Sequence, residues 1–125
     1  MSDVKLVSYE ETAENASLAF ENTDISSVAD AVGYFFAAEG YMLEGGTKEN
    51  GVYGKGNKVA NAFLGPLASR YKWSVAVFPE SENVRVKVSK SMTGRWGGAL
   101  GARKVKKELN RLAVKMKALP SEFMH

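Results

Sequence analysis

The fold of this 125-residue chain is decided by two short stretches, WSVAVF at residues 73–78 and VRVKVS at residues 84–89. Both are rich in β-branched and aromatic residues, and residues 79–83 between them favour a turn, so together they predict an antiparallel hairpin. In the second stretch the valines alternate with Arg85, Lys87 and Ser89. One face of the sheet is therefore expected to be apolar and the other to be in contact with water.

Upstream of this hairpin the pattern predicts a strand, a helix and another hairpin. Residues 17–20 alternate briefly as a strand. Apolar residues then recur at helical spacing from Ile25 to Phe36, and Gly40 is expected to end that helix. Residues 41–44 and 51–55 flank small and polar residues, which predicts a hairpin with a six-residue loop.

The sequence pattern is ambiguous over residues 57–71 and clear in the final helix. Residues 57–71 carry apolar side chains at helical spacing but are interrupted by Gly65 and Pro66, so they predict a short helix or a kinked connector. The final helix has an apolar stripe, and Pro120 follows it. The residues of the stripe are Val105, Leu109, Leu112, Met116 and Leu119.

These segments predict a single α+β domain over residues 16–119, in the order β-α-β-β-(connector)-β-β-α. Two layers are expected, with an antiparallel sheet of four or five strands covered on one face by two helices. Residues 1–15 are acidic and lack a sustained period, so they predict a loose N-terminal arm. Residues 120–125 are expected to form a short C-terminal tail.

Two resemblances bear on this expectation. The order of elements resembles the fold typified by one half of the TATA-box-binding protein, at the level of topology alone. That protein's DNA binding does not transfer, since this chain has neither the duplicated saddle nor matching phenylalanine wedges. Four short segments together resemble a small group of uncharacterised bacterial proteins. They are residues 51–56, 71–73, 97–101 and 106–108. This second resemblance implies a bacterial source and no known activity.

The chain lacks the residue types that most catalytic and metal sites need. It has no cysteine, and its single histidine, His125, is the last residue. Glu10, Glu11 and Glu14 lack the spacing of a calcium-binding loop. We therefore predict a non-catalytic protein without metal or cofactor, an enzyme being the less favoured alternative. No apolar run is long enough for a secretory signal or a membrane span, so a cytoplasmic location is expected.

Charge is divided unevenly along the chain. Residues 1–50 contain 10 acidic and 2 basic residues, and residues 51–125 contain 4 acidic and 15 basic residues, giving −8 and +11 within a net charge of +3. Such a division is typical of an acidic segment beside one that binds a polyanion. It is equally compatible with two segments that neutralise each other, within one fold or between subunits.

The glycine-rich entry to the final helix, TGRWGGALGARK at residues 93–104, is the candidate site. It matches no nucleotide-binding loop pattern. Glycines and a helix start can offer backbone N–H groups to an anion, or can allow the helix to turn and pack closely on the sheet. Both interpretations remain open at this point. The candidate anion-binding residues are Arg95, Gly97, Gly98, Gly101, Arg103, Lys104 and Lys107, with Trp96 as a candidate stacking or interface residue.

The function expected from the sequence is that of a small binding domain. Its basic C-terminal helix would contact an anionic partner, either nucleic acid or an anionic membrane surface. Arg85 and Lys87 of the second stretch could add to the same basic surface. The alternative is a homo-oligomerisation module in which the acidic first helix of one chain faces the basic last helix of another.

Overall fold

A computed structural model describes residues 4–55, 71–91 and 98–124, with the backbone alone for residues 98–102. The elements run in the order β1 (Lys5–Glu11), β2 (Asn15–Glu21), α1 (Ile25–Ala38), β3 (Met42–Gly46), β4 (Asn50–Lys55), β5 (Tyr71–Glu80), β6 (Asn83–Lys90), α2 (Gly98–Met116) and α3 (Leu119–Phe123). Within the described ranges, the strands form one six-stranded antiparallel sheet in the order β1-β2-β6-β5-β4-β3. The prediction of an α+β domain with an antiparallel sheet is confirmed.

The core lies between one face of this sheet and the helices. The alternating valines of β6, Val84, Val86 and Val88, are buried beside Trp73 and Val75 of β5. They form a single cluster with the apolar sides of the helices, which hold Phe35 and Phe36 in α1, Leu109 and Leu112 in α2 and Leu119 in α3. Burial of these large side chains is the main favourable contribution to folding.

The ends of α1 are specified by local sequence. The Asp24 side chain accepts a hydrogen bond from the backbone N–H of Ser27 at 2.7 Å and so caps the first turn. After the helix, Gly40 adopts φ of +89°, and the N–H of Tyr41 reaches back to the Phe36 carbonyl at 2.8 Å. The rings of Tyr41 and Phe36 then meet edge to face at 5.3 Å. This is a Schellman ending, and it places Gly40 where the sequence predicts the stop.

Two predicted features at the ends of the chain require correction. Residues 5–11, expected in a loose arm, form strand β1, which pairs with β2. Residues 119–123, expected as the end of one helix and the start of a tail, form the short helix α3. The described part therefore holds six strands and three helices, against the predicted four or five strands and two helices.

Two further differences concern loops. The loop between β3 and β4 contains three residues rather than six, because Gly45, Gly46 and Asn50 belong to the strands. The turn between β5 and β6 contains only Ser81 and Glu82, and Ser81 takes a positive φ of 56°. The predicted connector over residues 57–71 lies outside the described residues, except that Tyr71 begins β5.

Candidate anion-binding surface

Two strands end in lysine at the same end of the sheet. Lys55 ends β4 and pairs with Tyr71 at the start of β5, while Lys90 ends β6 and pairs with Trp73. Glu11 ends β1 and contacts α2 near the same edge, where its carboxylate accepts hydrogen bonds from Asn110 at 3.2 Å. The middle of α2 therefore lies against this end of the sheet.

The N-terminal half of α2 carries four exposed cations within five positions. We call Arg103, Lys104, Lys106 and Lys107 the basic segment. The residue among them, Val105, is buried in the core, so the cations lie on the outward side of the helix. No acidic residue occurs between residues 98 and 107. In the part of the chain that the structure describes, Arg103, Lys106 and Lys107 form no ion pair.

The cations of the C-terminal half of α2 are held by carboxylates. Arg111 donates to Glu108 at 2.8 Å and 2.9 Å and also forms an ion pair with Glu39, the residue that follows α1. Lys115 binds the other oxygen of Glu39 at 3.1 Å. Hydrogen bonding to Glu108 raises the pKa of the Arg111 guanidinium above its ordinary value, although partial burial opposes this. Arg111 and Lys115 are thus neutralised within the chain.

The same contacts lower the pKa values of the Glu39 and Glu108 carboxyl groups. Burial alone would raise the pKa of Glu39 and of Glu108, but hydrogen bonds from Arg111, together with Lys115 at Glu39 and Tyr41 at Glu108, outweigh it. Both pKa values therefore lie below the ordinary value of a glutamate. Each carboxylate is charged at neutral pH and is engaged by the cations around it.

A buried hydroxyl links α2 to the sheet. The indole N–H of Trp73 donates to Tyr41 Oη at 2.9 Å, and the Tyr41 hydroxyl donates to Glu108 Oε2 at 2.7 Å. Burial, followed by the bond to Glu108, raises the pKa of Tyr41 well above its ordinary value, so the hydroxyl stays protonated as a donor. The Lys55 ammonium lies 5.5 Å from the centre of the Tyr41 ring. We call the two hydrogen bonds that join Trp73, Tyr41 and Glu108 the Glu108 network. They fix the position of α2 on the sheet.

Strand β1 contacts the residue that follows the last residue of α2. The Lys117 ammonium lies 4.0 Å from the centre of the Tyr9 ring, close enough for a cation–π interaction. The Tyr9 hydroxyl donates to Glu11, and burial together with that carboxylate raises the pKa of Tyr9 to about 12. Acidic and aromatic residues of the supposed N-terminal arm are therefore part of the folded domain.

The other face of the sheet is separate from the basic segment. Arg85 and Lys87 alternate with the buried valines of β6, so they lie on the face opposite the helices. The Arg85 guanidinium is mostly covered, binds Glu80 at 2.7 Å and donates to Ser17. The expectation that Arg85 and Lys87 extend the basic surface of α2 is therefore wrong.

The predicted site residues have different outcomes. Arg103, Lys104 and Lys107 lie together on the exposed side of α2, and Lys106, absent from the predicted set, lies among them. Gly98 and Gly101 belong to the first turns of α2, which begins seven residues before the predicted apolar stripe. Three predicted residues, Arg95, Trp96 and Gly97, lie outside the described residues.

Neither a metal site nor a membrane span is found in the described ranges. No group of three or more histidine, cysteine, aspartate or glutamate side chains is placed to hold a metal ion there. None of the helices described is both long and apolar enough to cross a membrane. Comparison of the chain with protein-family models and with curated proteins found no match.

Proposed function

We propose that this protein is a non-catalytic binding domain that holds the phosphate backbone of a nucleic acid through the basic segment. The observation that carries the proposal is the contrast between the basic segment and the cations that follow it in α2 and at Lys117. Cations after residue 107 are engaged by Glu39, Glu108 and the Tyr9 ring, whereas Arg103, Lys106 and Lys107 have no acidic partner among the described residues. Exposed cations without internal partners are available to neutralise phosphates.

A nucleic acid is favoured over a membrane surface because the apolar side of α2 is not available to lipids. An interfacial helix binds a membrane by placing its apolar side among the lipids. The apolar side of α2 is already buried in the core through Val105, Leu109 and Leu112. Its outward side over residues 103–107 presents only charged residues, which suit phosphate oxygens better than lipid chains.

The expected binding is weak in sequence preference and strong in salt dependence. Four cations that each neutralise one phosphate give a slope of at most about −3.6 for the logarithm of the association constant against the logarithm of salt concentration. Fluorescence anisotropy with a labelled duplex of about 20 base pairs, titrated between about 50 and 200 mM salt, measures that slope. The affinity should fall by up to about 150-fold over that range.

A matched pair of double variants locates the site. Lys106→Gln with Lys107→Gln removes two cations of the basic segment and should reduce the slope by about 2. Lys5→Gln with Lys87→Gln removes two lysines of the sheet that are also exposed and should leave both slope and affinity nearly unchanged. Absence of binding at low salt, or an equal loss in the two double variants, contradicts the proposal. Binding to anionic vesicles but not to the duplex would instead favour a membrane surface.

A further inference from the structure

A second surface of the molecule exposes apolar side chains. Five large apolar residues are exposed within the described ranges, and three of them lie together: Tyr34 on α1 is 65% exposed, and Met42 and Leu43 on β3 are 73% and 41% exposed. The other two, Val7 and Val114, lie on β1 and α2. A cluster of this kind on an otherwise polar surface indicates a contact surface.

The three side chains border a groove between α1 and the β3–β4 hairpin, with a volume of about 430 Å³. We call it the α1–β3 groove. Its depth comes from the small residues Gly33 and Ala37 on the facing side of α1, with Tyr53 beneath. A Cβ atom at Gly33 would contact Tyr53 Oη at 3.4 Å, so the missing side chain leaves room beside that hydroxyl. The surface thus has an apolar hollow and a protruding Tyr34 side by side.

The charges at the groove favour contact with an identical surface. Its charged lining residues, Asp30 and Lys48, form an ion pair with each other. The patch is therefore neutral, and two copies of it can meet without like-charge repulsion. A two-fold interface requires a self-complementary patch, and a projection beside a hollow fulfils this requirement.

Contact through side chains fits this edge better than addition of a strand. Strand β3 is five residues long, and its pairing with β4 shifts register between Leu43 and Gly45. Short, bulged edge strands resist pairing with a further strand. Side chains are thus the means by which this edge can contact another molecule.

We propose that the α1–β3 groove forms a two-fold contact between two copies of this chain, with Tyr34 of each copy seated in the groove of the other. The dimer is weak, with a dissociation constant on the order of 100 µM, because three exposed apolar side chains per copy are far fewer than the roughly 20–30 residues per side of a standard interface. It is also held by apolar contact rather than by attraction between the acidic and basic halves of the chain. The proposal does not depend on nucleic-acid binding.

Sedimentation equilibrium of the full chain, from about 10 µM to about 1 mM, tests the proposal. We expect reversible dimerisation that is no weaker in about 0.5 M than in about 0.05 M sodium chloride, because salt screens charges and not apolar contacts. Tyr34→Lys should lower the association constant at least about tenfold. Val114→Lys, at an apolar position of α2 that is 51% exposed, should leave it unchanged.

Chemical cross-linking gives an independent readout, since the chain contains no cysteine. Met42→Cys introduces one thiol at the rim of the groove and keeps Tyr34, and Val114→Cys is the matched control. A short bis-maleimide should join Met42→Cys chains into dimers well before the control. A monomer throughout the concentration range, a dimer that dissociates in salt, or equal cross-linking of the two variants overturns the proposal.

Discussion

The hydroxyl of Tyr41 connects three elements of the fold through hydrogen bonds. It accepts from Trp73 and donates to Glu108, so one oxygen joins a core strand to the only acidic residue of α2. Glu108 in turn holds Arg111, which reaches Glu39 at the end of α1. A single buried oxygen therefore connects a strand and both long helices.

Replacing this hydroxyl should be costly. We expect Tyr41→Phe to lower the free energy of unfolding by about 1–3 kcal/mol, because half-buried Glu108 loses a donor and buried Trp73 loses this acceptor. Urea unfolding followed by tryptophan fluorescence at low micromolar concentration measures the change. The control, Tyr34→Phe, removes a hydroxyl from a largely exposed ring and should change stability by less than about 0.5 kcal/mol. Equal effects of the two changes would mean that the Glu108 network adds nothing to stability.

At the scale of elements, Gly40 decides where α1 ends. Its φ of +89° is unfavourable for any residue with a Cβ atom, whereas a Cβ atom there would make only an ordinary van der Waals contact, with Lys55 Cε at 3.5 Å. Gly40→Ala should therefore cost about 1 kcal/mol or more through backbone strain alone. Gly45→Ala is the comparison, since a Cβ there meets nothing within 4 Å and the φ of Gly45 is not in the positive range.

Thermal unfolding of the two alanine variants checks this expectation. Gly40→Ala should unfold at a lower temperature than the unchanged chain. Gly45→Ala should be neutral or slightly stabilising, because alanine restricts the unfolded chain more than glycine does. If the Gly40 variant unfolds at the temperature of the Gly45 variant, the Schellman ending does not depend on glycine.

The same local signals explain which elements can be predicted from sequence. Helix α1 has a side-chain cap at Asp24, an apolar period and a glycine stop, and β6 alternates strictly, so both follow from the pattern. Strand β1 does not, because a bulge between Leu6 and Ser8 breaks its alternation. Leu6 and Tyr9 pair with Phe20 and Leu18 on the same face, although they are three positions apart in sequence. A two-residue period cannot reveal such a strand.

In the candidate site, too, features set by neighbouring residues can be predicted, whereas contacts between residues far apart in sequence cannot. Because α2 is amphipathic, its pattern alone places the basic segment on the outward side, and Lys106 could have been included on that basis. The neutralisation of Arg111 and Lys115 could not be predicted, because Glu39 is more than 70 residues away in sequence. The separation of Arg85 from α2 could have been predicted, because Arg85 alternates with the valines of the apolar face on which the helices are expected to pack.

At the scale of the whole molecule, β1 is a structural part of the domain. It completes the hydrogen bonding of β2, contacts Asn110 of α2 through Glu11, and contacts Lys117 just after α2 through Tyr9. Removing residues 1–11 should lower the free energy of unfolding by about 2 kcal/mol or more, since the buried area of Leu6 and Tyr9 is lost. It should also promote aggregation, because β2 becomes an unprotected edge.

Chemical denaturation and light scattering of the truncated chain test this expectation. A loose arm, as the composition of residues 1–15 suggests, predicts the opposite result, with unchanged stability and solubility. Val7→Ala in the untruncated chain is a useful control, because Val7 is 44% exposed and should contribute less than about 0.5 kcal/mol.

The position of β2 in the sheet has a consequence for the order of folding. Its neighbours are β1, just before it in sequence, and β6, where Ala19 pairs with Arg85. During synthesis, the β1–β2 hairpin therefore leaves the ribosome long before β6 exists, and until then one side of β2 has no strand beside it. Closing such a long loop slows folding. The centre of the sheet thus forms only after most of the chain has been made.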